Sequence, residues 1–147
     1  MDARTILSRK GHTVFTVSPS ATIREAMALL IRHGVSSLIV IGQDDEVVGI
    51  ITERDIFRLT YEHDGRIMEL PVKSVMTREL IIALPYDTLD YLKSLITENR
   101  IRHLPVIDQG KLAGIVSIGD IVREESSAVA VENRYLKDFI FGPTATM

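Results

Sequence analysis

Two ten-residue stretches of this 147-residue chain share one pattern. GIITERDIFR spans residues 49–58 and GIVSIGDIVR spans residues 114–123. Each holds a hydroxyl, Thr52 or Ser117, three residues ahead of a carboxylate, Asp55 or Asp120. Two chemistries suit that spacing. In the first, the hydroxyl caps a helix by accepting from the backbone N–H three residues on, and the aspartate complements the helix dipole. In the second, a strand that turns directly into a helix offers its N–H groups to an anion. A carboxylate at that point can accept both hydroxyls of a ribose, and the neighbouring hydroxyl can help hold a phosphate. Aspartate is shorter than the glutamate that best completes a reciprocal cap. Its presence in both stretches weights the reading toward a ligand.

Other chemistries find little support. The chain has no cysteine, so it has neither a disulfide framework nor a thiolate nucleophile. His12, His33, His63 and His103 lack metal-ligand spacing. Asp44, Asp45 and Glu46 lack the glycine and terminal glutamate of a calcium loop. No Walker motif, dinucleotide fingerprint or serine elbow occurs. No enzyme is expected, and no cofactor is required. A net charge of −3 provides no basic face for nucleic acid. The apolar runs AMALLI and LIVI are too short to span a bilayer, and MDARTILSRKGH lacks a signal-peptide core. The expectation is a soluble cytoplasmic protein, with 46% hydrophobic and 25% charged residues.

The elements that must position the two pairs are themselves repeated. Aligning Pro19 with Pro85 brings Thr22 onto Thr88, Leu38 onto Leu104 and, past a loop one residue different in length, Gly49 onto Gly114. TVFTV (13–17) alternates like a short strand. Thr22 and Glu25 have capping-box spacing, and Ile23, Ala26, Met27, Leu30 and Ile31 form a helical stripe ending before Gly34. SLIVI and EVVGII flank a Gly/Asp-rich turn and read as a hairpin. The second repeat places Leu89, Leu92, Leu95 and Ile96 on its first helix. The fold expected is α+β: two βαββα repeats packed with pseudo-twofold symmetry, because one repeat of this size cannot bury a stable core alone. Residues 5–62 form the first repeat, 63–74 a linker, 75–125 the second repeat and 126–147 a C-terminal helical extension. On that extension Tyr135, Leu136, Phe139 and Ile140 share one side that needs a cover.

The repeated GIITERDI and GIVSIGDI segments, the βαββα order and IRHLPVID (101–108) resemble a pair of cystathionine β-synthase (CBS) domains over residues 5–123. The resemblance implies clefts that bind adenine nucleotides or S-adenosylmethionine and regulate something else. It implies that Asp55 and Asp120 grip a ribose, with Thr52 and Ser117 near ribose or phosphate. The backbone of Thr16–Val17 and Ile82–Ala83 would meet the adenine edge, and Ser36–Ser37 and Arg102–His103 the phosphates. Arg54 faces Gly119 in the alignment, so the cations of the two repeats differ. Arg54, Arg102, His103 and Lys10 could converge on one phosphate, whereas Arg54 and Lys10 are equally readable as solvated charges.

The expected function is thus a stand-alone regulatory module. It would bind AMP, ADP, ATP or NAD, with S-adenosylmethionine as a further candidate, and sense energy or redox state for an unknown regulated protein. A homodimer is expected from the apolar helix faces. The alternative is an interaction scaffold with empty clefts, acting through its C-terminal helix.

Overall fold

The computed structural model describes the backbone of residues 1–141, and the side chains within that span other than those of 128–131, 135, 138 and 141. The chain runs α1 (Ala3–Lys10), β1 (Thr16–Val17), α2 (Ile23–His33), β2 (Ser37–Ile41), β3 (Val47–Thr52) and α3 (Glu53–Glu62). It continues with α4 (Leu89–Asn99), β4 (His103–Asp108), β5 (Lys111–Ser117) and α5 (Ile118–Phe141). Short 3-10 turns lie at Gln43–Asp45 and Val72–Ser74.

Local chemistry starts and stops these elements. Thr22 and Glu25 close the capping box of α2, and Gly34 ends it in the left-handed region at φ 61°. Ile23, Ala26 and Leu30 are buried, but Ile31 is 78% exposed, so the apolar stripe of α2 is narrower than its sequence suggests. Thr88 caps α4 through the N–H of Tyr91, and Leu92 and Ile96 are buried. The two hairpins are superimposable in register. Leu38 pairs with Ile51 and Leu104 with Val116, and both hairpins shift register one step after the same valine, Val40 or Val106.

The opening strand of each repeat is shorter than expected. TVFTV contributes only Thr16–Val17, which pair in parallel with Ile39–Val40. In the second repeat the strand shrinks to a single bridge between Ala83 and Val106. The cause is Pro105. In the first repeat Ile39 N–H donates to Phe15 O, but the matching position, Pro105, has no N–H to donate. The sheets therefore hold three strands and two strands.

An N-terminal helix was not expected, and it settles the packing. Ala3, Ile6 and Leu7 of α1 are buried in the core of the second repeat, with Ala83, Leu92, Ile96, Leu104, Val106, Val116 and Ile121. Conversely, the crossing linker runs past residue 74 to Thr77, and its Ile67, Val72 and Met76 are buried in the core of the first repeat. Each core thus takes its last layer from the segment that precedes the other repeat. The backbone stitching is reciprocal: Ala3 N–H donates to Asp87 O and Val72 N–H to Ala21 O, while Arg4 N–H donates to Pro85 O and Lys73 N–H to Pro19 O.

This exchange explains the glycine that opens both repeated stretches. A β-carbon on Gly114 would lie 2.6 Å from Leu7 Cδ2, and one on Gly49 would lie 2.7 Å from Met76 Sδ and 2.9 Å from Thr77 O. Only glycine lets the crossing segments approach so closely.

The C-terminal extension is not a separate helix. It continues the helix of the second repeat as the single 24-residue α5, because no proline or glycine interrupts the sequence between Gly119 and Gly142. Leu136, Phe139 and Ile140 are exposed. The side chain of Tyr135 lies outside the described residues.

Candidate ligand clefts at two helix starts

Both hydroxyl–carboxylate pairs sit where a strand becomes a helix. Thr52 caps α3: its Oγ1 accepts from Asp55 N–H at 3.1 Å, and Asp55 Oδ2 accepts from Thr52 N–H at 3.0 Å. Ser117 does the same for α5, at 3.3 Å and 2.8 Å. Aspartate thus completes a reciprocal cap in both places, and the capping chemistry of the pattern is present in full.

The strand starts converge on the same region. Ser37 pairs with Thr52 across one hairpin and His103 pairs with Ser117 across the other. Ser36 O accepts from Glu53 N–H, and Arg102 O accepts from Ile118 N–H. The two halves meet where Ser36 Oγ and His103 Nε2 lie 2.8 Å apart. Segments 36–37, 52–55, 102–103 and 117–120 are therefore joined by hydrogen bonds into one continuous patch between the repeats.

Within it the side chains differ in access. Ser37, Val17, Ala83 and Asp120 are buried; Thr16, Ile82, Arg54 and Arg102 are exposed; Ser36, Thr52, Asp55, His103 and Ser117 are half-buried. Lys10 does not stand as an isolated cation. Its Nζ lies 2.6 Å from Asp120 Oδ2 and donates to Ile115 O at 2.9 Å. No ion pair holds Arg54 among the described residues.

Electrostatics follow from this placement. Burial acts to raise the Asp120 carboxyl, but the Lys10 ammonium together with the Ser117 N–H and hydroxyl holds it below the ordinary carboxylate value. Burial lowers His103, and the Arg102 and Lys10 cations lower it further against the opposing pull of Asp120.

Two arginines join the site that were not assigned from sequence. Arg58 lies 3.5 Å from Asp55 Oδ1, and Arg123 lies 3.2 Å from Asp120 Oδ1. Their signal was present, since arginine closes both repeated stretches three residues after the aspartate. A cleft of about 380 Å³ also opens beside Asp55, lined by Arg58, His63, Leu70, Ser74 and Val75 among others. Ser74 and Val75 come from the crossing linker, which no local spacing assigns to this place. Among the described residues, no group of three or more acidic or histidine side chains could hold a metal ion.

The family is shown by sequence over both repeats: the CBS domain matches residues 4–62 and 72–127. The chain belongs to the CBS-domain family. As a CBS pair it is 38% identical over 124 residues to the CBS domain-containing protein YhcV of Bacillus subtilis, covering 82% of this chain and 87% of that one. The CBS-domain containing protein ATU1752 from Agrobacterium tumefaciens aligns with a TM-score of 0.82 and 35% identity, over 84% of this chain and 92% of that one. The CBS domain pair of protein MJ0100 was solved in complex with 5′-methylthioadenosine and S-adenosyl-L-methionine. It aligns with a TM-score of 0.76 and 26% identity, over 87% of this chain and 98% of that one. The α+β CBS-pair fold read from the repeats is thereby established. No helix among the described residues is long and apolar enough to cross a membrane.

Proposed function

We propose that this CBS pair is a cytoplasmic regulatory module that binds an adenine nucleotide of the AMP, ADP, ATP or NAD class, or S-adenosylmethionine, and transmits its occupancy to a partner protein. The observation that carries this is the half-buried Asp55 at the start of α3, beside a cleft of about 380 Å³ whose lining includes Asp55 but none of the other residues assigned from sequence. A half-buried carboxylate there can accept a ribose diol. The start of α3 faces a phosphate favourably, and Arg54, Arg102 and His103 supply cationic or hydrogen-bonding side chains nearby in the patch. The backbone of Thr16–Val17, and of Ile82–Ala83 in the second repeat, is assigned to the adenine edge. The MJ0100 complex supports the ligand class.

A thermal-shift screen with AMP, ADP, ATP, NAD, 5′-methylthioadenosine and S-adenosylmethionine tests the reading. A ligand at 100 times its Kd stabilises the fold by about 2.7 kcal/mol and raises its melting temperature. No shift with any of the six would defeat the proposal.

Exposed apolar side chains favour an accompanying role in association. Ile31, Phe57 and Tyr61 on α2 and α3 are 78%, 80% and 85% exposed, a surface suited to a second copy. If the clefts prove empty, the exposed Leu136, Phe139 and Ile140 of α5 support a scaffold that binds a partner through that helix.

A further inference from the structure

The two carboxylates that match in sequence do not match in what already holds them. Asp120 Oδ2 receives three donors: Lys10 Nζ at 2.6 Å, Ser117 N–H at 2.8 Å and Ser117 Oγ at 3.0 Å. Arg123 adds a fourth, on Oδ1 at 3.2 Å. A carboxylate offers about four lone-pair sites, so Asp120 has little capacity left for the two hydroxyls of a ribose. Among the described residues, Asp55 Oδ2 receives only Thr52 N–H at 3.0 Å, with Arg58 at 3.5 Å from Oδ1. Its capacity for a diol is largely intact, and the cleft opens on it.

The difference originates in the crossing segments. Leu7 and Met76 occupy matching places, one over Gly114 and the other over Gly49. Beyond that point the segments diverge. After its 3-10 turn the linker runs alongside β3, where Thr77 exchanges both backbone hydrogen bonds with Ile50, at 2.9 and 3.0 Å. Among the described residues, no linker side chain pairs with Asp55. The N-terminal segment instead stays helical to Lys10, whose ammonium donates to the Ile115 carbonyl and clamps Asp120.

We propose that Lys10 decides which cleft takes ligand: with α1 docked, the Asp120 cleft is closed to a ribose and the adenosine-containing ligand binds at Asp55 alone, one per chain. This rests on the nucleotide reading above. Removing the Lys10 charge frees Asp120 and creates a second site.

Calorimetric titration of the full chain with AMP and with 5′-methylthioadenosine tests this in the wild type, Lys10→Gln, Lys10→Met and Asp55→Asn, with a melting curve for each to confirm folding. Both Lys10 variants keep the aliphatic stem and lose the charge. The expected stoichiometry is one per chain for the wild type, with at least tenfold weaker binding in Asp55→Asn. It rises to two per chain in the Lys10 variants, and the added site disappears when Asp120→Asn is combined with them. Two equivalent sites in the wild type would overturn the Lys10 assignment and leave the nucleotide reading standing, as would Lys10 variants that fold and still bind one. Binding by the Lys10 variants alone, at a site lost with Asp120→Asn, would sustain the Lys10 closure and overturn the Asp55 site. No binding by any of these proteins would overturn both.

Discussion

Ser36 Oγ and His103 Nε2 lie 2.8 Å apart, a hydrogen bond between residues 67 positions apart in the chain. It ties the start of β2 to the start of β4 and is a direct side-chain bond between the two repeats. Because burial and two cations keep His103 below its ordinary value of 6.5, the imidazole in this bond is neutral near pH 7.

That neutrality has a pH signature. As the pH falls below 6.5, the unfolded chain takes up a proton at His103 that the folded chain does not. Folding stability therefore declines from there until the pH passes the lowered folded value. Urea unfolding at about pH 7.5 and about pH 5.5 should show this loss in the wild type and a smaller one in His103→Gln, which keeps a side-chain amide for Ser36. Equal losses in both proteins would assign the acid sensitivity to other groups.

The two crossing glycines should not tolerate alanine equally. A β-carbon on Gly49 meets backbone, Thr77 O at 2.9 Å, whereas one on Gly114 meets only the rotatable end of Leu7. Gly49→Ala should cost about 1–3 kcal/mol by chemical denaturation, the range of overpacked cores, and Gly114→Ala less. The opposite order would mean that the linker yields more easily than α1.

Asp55→Asn separates capping from binding. Asparagine still accepts the Thr52 N–H, so the melting temperature should change little. It cannot accept both protons of a diol as a carboxylate can, and affinity for AMP should fall roughly 10- to 100-fold. Calorimetry that finds unchanged affinity would reduce the repeated pattern to two helix caps.

Association is expected through α2 and α3. Light scattering of the 16.4 kDa chain should return about twice that mass, and Phe57→Glu should restore the monomer. Deleting residues 126–147 should weaken the dimer if the α5 face contributes. A wild-type monomer at micromolar concentration would refute the assembly.

Nucleotide turnover is not expected. The patch offers hydroxyls and cations to a ligand, and both of its carboxylates complete helix caps rather than standing as isolated bases. Purified protein incubated with ATP should release no phosphate above the level of a Thr52→Val, Asp55→Asn control. Sustained release that disappears in the control would contradict the binding-module reading.

The repeats, the hairpins and the paired hydroxyl–carboxylate spacing were all legible in the sequence, because each depends on residues within a few positions of one another. Thr22 and Glu25 close a capping box, Thr52 and Asp55 another, and the continuous apolar runs around Val40 and Val106 mark buried strands. Local patterns misled where pairing and packing override composition. The opening strand of the second repeat shrinks to the Ala83–Val106 bridge because Pro105 has no N–H to donate, and Ile31 is exposed because α2 presents a narrower face to its core than its composition suggests.

By itself, then, the sequence determined what each repeat is made of and which groups start its second helix, through backbone sterics and capping bonds that act over three or four residues. The tertiary structure alone decided which segment covers which repeat. A glycine announces that something approaches closely, but shape complementarity across the whole core selects Leu7 for Gly114 and Met76 for Gly49. That selection carries Lys10 across 110 positions to Asp120 and leaves Asp55 open. Two aspartates at matching positions of the repeat therefore differ in chemistry, because the Lys10 charge that clamps one of them arrives through packing.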